Sequence, residues 1–278
     1  MSDAAPPPTT QAVILARGLG TRMRRESADQ GLSAAQLEAA AAGAKGMMPL
    51  FARPFLDYVI SALADAAITN VVLVVGPEHD AMRKYYTQAA PPARVQVRFA
   101  VQAEPKGTAD AVYAVRNAVN DAPFLMLNSD NYYPVAAYSA LAAVGGAGLI
   151  AFEADTLVRD GGIQVERVLN YALLDFDSNG WLREICEKPP SDHPLARRAE
   201  RWVSMNLWSF TPRIFDACAR IEPSERGELE LADAVMVAMR DLGERFRVIP
   251  MRGGVLDLSS RADVALVSSR LANVTPNP

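Results

Sequence analysis

Four short apolar runs dominate the first half of the chain: Ala12–Ala16, Val71–Val75, Val95–Val101 and Phe124–Leu127. They are rich in β-branched residues and do not alternate apolar with polar, as strands covered on both faces do. Helical patterns lie between them, near Phe55–Ala67, Glu78–Thr87 and Ala109–Val119. This alternation predicts an α/β fold, a Rossmann-like, mostly parallel sheet sandwiched by helices. In such sheets the ligand crevice opens at the carboxyl ends of the strands.

The second half reads as a mixed α/β part. "NYALLDFDSNGWLREICEKP" predicts a hairpin turning at Asp177–Gly180, and "WVSMNLWSFTP" a further strand. "ELELADAVMVAMRDLG" predicts an amphipathic helix closed by Gly243; "RFRVIPM", "GGVLDL" and a helix from about Ser260 complete the chain. The expected organisation is a flexible tail over 1–10 and one domain over 11–278. Within it, a first half spans about 11–145 and a second about 146–278.

Bulk properties narrow the function. With 278 residues, half of them hydrophobic, the chain can bury a large core, and a formal charge of −4 gives no global attraction to nucleic acid or to an anionic membrane. Two histidines and two distant cysteines leave no room for a His-rich metal site or a disulfide framework. "MSDAAPPPTT" has no signal-peptide pattern and "VVLVV" is too short to span a bilayer, so a cytoplasmic protein is expected.

Chemistry-bearing residues gather at the strand ends. After the first strand, "LARGLGTRM" places Gly18 and Gly20 where backbone can approach a ligand closely, with Arg22 and Arg24 as cationic donors. "LNSDNYY" delivers Asp130 to a strand end, where a carboxylate holds Mg²⁺ or simply caps the next turn. "GGVLDLSS" repeats that arrangement at Asp257, and two such carboxylates are able to share one metal. Lys45 stands between Ala44 and Gly46, an accessible cation that suits phosphate or mere solvent. Gly107 and Thr108 open a helix after Gln102 leaves its strand. Segment 26–44 interrupts the order as an alanine-rich insertion, with Ser33 and Gln36 spaced as a capping box and Gly43 as the stop. It reads as a flap over the crevice or as a passive surface addition. No Walker-type P-loop occurs, and Met23 stands where a dinucleotide fingerprint needs glycine.

In order and spacing, "LARGLGTRM…KGMMPL", Gln102–Gly107, Asp130, "EKP", "GELEL" and "LDLSS" resemble the sugar-1-phosphate nucleotidylyltransferases over about residues 11–260. The first motif looks closest to bacterial UDP-glucose pyrophosphorylase, whereas "GTADAV" looks more like the ADP-glucose enzymes, which leaves the base open. The resemblance implies an NTP and a sugar 1-phosphate as substrates, Mg²⁺ as cofactor, and homo-oligomers among family members. It implies that Leu15, Ala16, Gly18, Gln102, Gly107 and Thr108 face the nucleotide, with Gly20, Thr21 and Arg22 on the triphosphate. Lys45 would meet the reacting phosphates, and Asp130 and Asp257 the metal. In a sugar-binding half, Glu187 would bind sugar hydroxyls, Lys188 the sugar phosphate and Asn206 the sugar, so that Arg22, Lys45, Asp130 and Lys188 carry the catalysis. Departures from the pattern are Arg17 in place of a small residue, a longer Arg22-to-Lys45 spacing, and Ala172 in place of glycine. A non-catalytic nucleotide-binding homologue and a CTP-dependent transferase for a non-sugar phosphate are the alternatives.

Overall fold

The computed structural model describes residues 7–18, 20–25, 31–119 and 121–278. Nine strands among them form one sheet. They are β1 (Gln11–Leu15), β2 (Asn70–Val75), β3 (Gln96–Val101), β4 (Phe124–Asn128), β5 (Gly148–Glu153), β6 (Ala172–Phe176), β7 (Leu182–Cys186), β8 (Trp202–Phe210) and β9 (Arg247–Met251). The block β4-β1-β2-β3 is parallel throughout, with Val13 of the central strand opposite Val72 and Met126.

Both faces of this block are buried, which is why its strands read as unbroken apolar runs. Ile14, Leu73 and Leu127 enter one core layer; Val13, Val72 and Met126 enter the other. Helices Phe55–Asp65 and Val135–Ala142 cover the first face, and Thr108–Tyr113, Arg213–Cys218 and Leu231–Leu242 the second.

The second half joins through β8, which lies antiparallel to β4, β5 and β6. One end of β8 pairs Trp208 with Met126, and the other pairs Trp202 with Leu174. The expected hairpin is β6–β7, and Asp177 Oδ1 accepts the Asn179 and Trp181 amides across its turn. Mixed pairing in this half matches the sequence reading.

Other details differ from the sequence. β5 belongs to no segment singled out as a strand, although five of its six residues are buried. The helix expected over Glu78–Thr87 is an α-helical turn Asp80–Lys84 continued by a wider π turn Tyr85–Ala89. The helix expected to reach Val119 ends at Tyr113. The tail expected over 1–10 is partly docked: Thr9 donates its amide to Ala142 and its hydroxyl to Pro123, at 3.0 and 2.7 Å. Residues 1–6 lie outside the described residues, as do 26–30 of the insertion.

The rest of the insertion forms the helix Ala34–Ala42, with both hydrogen bonds of the Ser33–Gln36 capping box in place. Gly43 ends it at φ +70°, a left-handed conformation that glycine adopts without a Cβ penalty. The chain then passes directly into Lys45.

Candidate active site

The parallel block ends in a cavity of about 350 Å³. Leu15 to Gly18 line it from the end of β1, Gln102 from the end of β3, and Asn128 to Asp130 from the end of β4. The Ser129 amide donates to the Leu15 carbonyl at 3.1 Å, locking the first and third of these loops together. The cap of the insertion closes another side with Gly43, Ala44 and Lys45. The inserted segment therefore builds part of the wall.

Gln102 is buried at the cavity edge and held from several directions. Its amide donates to Val75 at 2.9 Å, and its Nε2 donates to the Gly107 carbonyl at 3.1 Å and to Asp110 Oδ2 at 2.8 Å. Gly107 sits at φ +128°, where a Cβ would fall 2.4 Å from the Leu229 carbonyl oxygen. Leu229 in turn donates to Lys106 at 2.7 Å, and the Thr108 hydroxyl accepts the Leu231 amide at 3.0 Å. The "GELEL" stretch thus braces the segment that carries Gln102. It also contributes Glu228 to the wall, a residue for which the motif alone suggested no role.

Lys45 and Asp130 meet at 2.8 Å, both side chains less than one-fifth exposed. Burial lowers the Lys45 pKa, but the Asp130 carboxylate outweighs it, so the ammonium is held above the ordinary lysine range. Asp257 stands beside this pair, because a short antiparallel ladder sets it opposite Asn131 and the Leu258 amide donates to the Asp130 carbonyl at 2.8 Å. Its carboxylate accepts from Asn131 at 3.2 Å, from Tyr171 at 2.7 Å, from Ser259, and from Arg167. Burial first, and then the Asp130 charge, push the Asp257 pKa upward; Arg167 opposes the shift.

The remaining sequence-derived candidates, Thr21 excepted, lie apart from this wall. Thr21 lines it, but Arg22 follows as an exposed residue of the helix Thr21–Arg25. Gly20, at φ +57°, is packed so that a Cβ would fall 2.5 Å from the Gly43 carbonyl oxygen; a close approach within the protein explains that glycine. Glu187, Lys188 and Asn206 also stand outside the lining. Lys188 and Asn206 adopt φ +45° and +59°, among four non-glycine residues with positive φ among the described residues. Such strain gathers at functional positions, and Asn206 lies where the β8–β5 register shifts between Ser204 and Trp208. Burial raises the Glu187 pKa, with Lys188 opposing and Glu230 reinforcing the shift.

Arg17 settles differently from what its position suggests. Its side chain, only 9% exposed, turns to the end of β2 and β3, donating to Glu78 at 3.3 Å and to the Gln102 carbonyl. A bulky cation in the glycine loop is thereby accommodated at the cavity edge.

The profile of the nucleotidyl transferase family matches residues 11–252. The chain belongs to this family. As a nucleotidyl transferase it is 27% identical over 265 residues to the UTP–glucose-1-phosphate uridylyltransferase AglF of Haloferax volcanii, covering 95% of this chain and 98% of that protein. It is 29% identical over 269 residues to a glucose-1-phosphate thymidylyltransferase of Streptomyces antibioticus, covering 93% of this chain and 65% of that longer protein. Among solved structures, a UDP-glucose pyrophosphorylase complexed with UDP-glucose superposes with a TM-score of 0.72 at 16% identity, over 96% of this chain and 99% of that one. That likeness confirms the α/β fold. Nucleotidyl transfer is the reaction kind of this chain, and among the described residues no helix is long and apolar enough to cross a membrane.

Proposed function

We propose that this nucleotidyl transferase joins a nucleoside triphosphate to a sugar 1-phosphate, forming a nucleoside-diphosphate sugar and pyrophosphate. UTP or dTTP with glucose 1-phosphate is the first pair to test, since relatives bear the names of those activities. The observation that carries the reading is the Lys45–Asp130 pair, set in one cavity with the glycine loop and the buried Gln102.

The sugar-phosphate oxygen attacks the α-phosphorus in line; the bond from that phosphorus to the bridging oxygen breaks, and pyrophosphate departs with the electron pair. The attacking phosphate is already ionised, so no general base is needed, in keeping with a wall without histidine. The task is to hold two anions together and to neutralise charge as it develops. In this reading Leu15, Ala16 and Gly18 present backbone to the nucleotide, and Gln102 offers its carboxamide to the base, beside Gly107 and Thr108. Gly20, Thr21 and Arg22 attend the departing phosphates, and Lys45 the reacting ones. Lys188 binds the sugar phosphate, while Glu187 and Asn206 bind sugar hydroxyls.

The donor chemistry at Asp130 and Asp257 fits Mg²⁺, a hard cation that takes one or two carboxylates and completes its shell with water and phosphate oxygens. The Asp130 charge raises the cost of ionising Asp257, and a cation between them relieves it. When bound, the ion screens the phosphate charge during transfer.

Purified protein mixed with Mg²⁺, a panel of NTPs and a panel of hexose 1-phosphates is expected to release pyrophosphate with one preferred pair. Nucleotide binding without release from any pair would overturn the reading in favour of a non-catalytic homologue.

A further inference from the structure

Three strand ends meet at one edge of the cavity through a single side chain. Arg17, after β1, donates to the carbonyl of Gln102, after β3, and pairs with Glu78 in the loop after β2. The β2 loop is shaped for this contact. A Cβ on Gly76 would fall 2.2 Å from the Glu78 carboxylate, so glycine there leaves the space that the carboxylate occupies. His79 Nδ1 accepts the Gly76 amide at 2.9 Å, and Arg83 donates to the Gly76 carbonyl at 3.0 Å. Gln102 is meanwhile fixed through its own amide and its carboxamide, as described above. The guanidinium therefore ties the glycine loop to the residue assigned to the base. Glu78 offsets a charge that would otherwise stand bare beside the nucleotide.

We infer that Arg17 is a positioning residue that sets base discrimination, by fixing the Gln102 backbone against the end of β1 with Glu78 as its anchor. This rests on the nucleotidyl-transfer reading above. Rigid placement matters here because a base is selected by hydrogen bonds whose geometry must already exist before binding. A displaced Gln102 would still admit a nucleotide, but would distinguish bases less well.

The test is calorimetric binding of five NTPs to the wild-type protein and to Arg17→Ala, Arg17→Lys and Glu78→Gln, with pyrophosphate release followed in parallel. Arg17→Ala and Glu78→Gln are both expected to reduce the preference for the favoured NTP over the next by about tenfold. They should raise its KM more than they lower kcat and leave the KM for sugar phosphate unchanged. Arg17→Lys, which retains one cationic donor, is expected to restore part of the preference. Uniform weakening of all NTPs by Arg17→Ala, with Glu78→Gln silent, would show that Arg17 touches phosphate directly and would overturn the inference. So would lowered melting temperatures with base preference unchanged. Glu78 is half exposed, so Glu78→Gln keeps the test valid should Arg17→Ala misfold. Binding needs no turnover: discriminating binding without pyrophosphate release would sink the reaction reading alone, and a wild-type protein that binds no nucleotide would sink both.

Discussion

Lys45 and Asp130 come from chain positions 85 residues apart and are hydrogen-bonded at 2.8 Å in the cavity wall. Removing either leaves a part-buried charge without its partner and, in the proposed reaction, takes away a preorganised contact to the phosphates. Lys45→Ala and Asp130→Asn are each expected to lower kcat by roughly 10²- to 10³-fold, the range for a lost transition-state contact of this type. Far-ultraviolet circular dichroism should stay unchanged; retention of normal turnover in either variant would refute its assignment. The thiols offer a second check at this scale. Cys218 is buried and its pKa is pushed up to about 12, while Cys186 is only partly buried. At pH 8 a thiol reagent should modify Cys186 slowly and Cys218 only after denaturation, because the thiolate is the reactive form. Both residues reacting rapidly in the native protein would contradict the burial of Cys218. Lys45, Asp130 and Gln102 were legible in the chain because each sits in a short motif, Asp130 and Gln102 at strand ends and Lys45 just past a helix cap. The Arg17–Glu78 contact was not, since its partners lie 61 residues apart and only the parallel pairing of β1 with β2 joins their loops. Arg167 escaped notice for the same reason: its partners Asp257 and Asp263 lie 90 and 96 residues away.

Among the elements, the inserted helix Ala34–Ala42 shows how local signals carry through to the site. Its capping box was readable from Ser33 and Gln36, and its stop from Gly43, because caps depend on residues a single turn apart. That Gly43, Ala44 and Lys45 then form cavity wall depends on packing against Gly20, which no local pattern encodes. Ser33→Ala removes the side-chain acceptor for the Gln36 amide and should cost about 1 kcal/mol. Gly43→Ala places a Cβ at φ +70° and should cost roughly 1–2 kcal/mol. Thermal melts are expected to rank Gly43→Ala below Ser33→Ala. Because Lys45 follows the cap, Gly43→Ala should also reduce kcat; full activity in that variant would mean that the wall tolerates displacement of the insertion. β5 illustrates the opposite limit. Its five-residue apolar core is as consistent with a buried helix segment as with a strand, and the antiparallel partner that decides the matter, β8, begins some fifty residues later.

At the scale of the whole molecule, β8 is the member that makes the two halves one sheet. It hydrogen-bonds to β4 of the parallel block at one end and to β6 of the hairpin at the other. Trp208 stands where β4, β5 and β8 adjoin, stacked on Phe210 at 5.5 Å and edge-on to Phe246 at 5.9 Å. This arrangement leads us to propose that residues 11–278 unfold as one unit, despite the change from parallel to mixed pairing. Trp208→Ala should destabilise the protein by about 3–5 kcal/mol through the cavity it leaves. Trp208→Phe should cost far less, since the buried indole N–H has no hydrogen-bond partner among the described residues and its loss strands no acceptor. Hydrogen exchange at rising denaturant separates the alternatives. If β8 couples the halves, amides of β1 and β2 lose protection at the same denaturant concentration as those of β6 and β7, in the wild type and, lower, in Trp208→Ala. Were β1 and β2 to stay protected after β6 and β7 had opened, the boundary near residue 146 would separate two folding units, and the cavity would belong to the first alone.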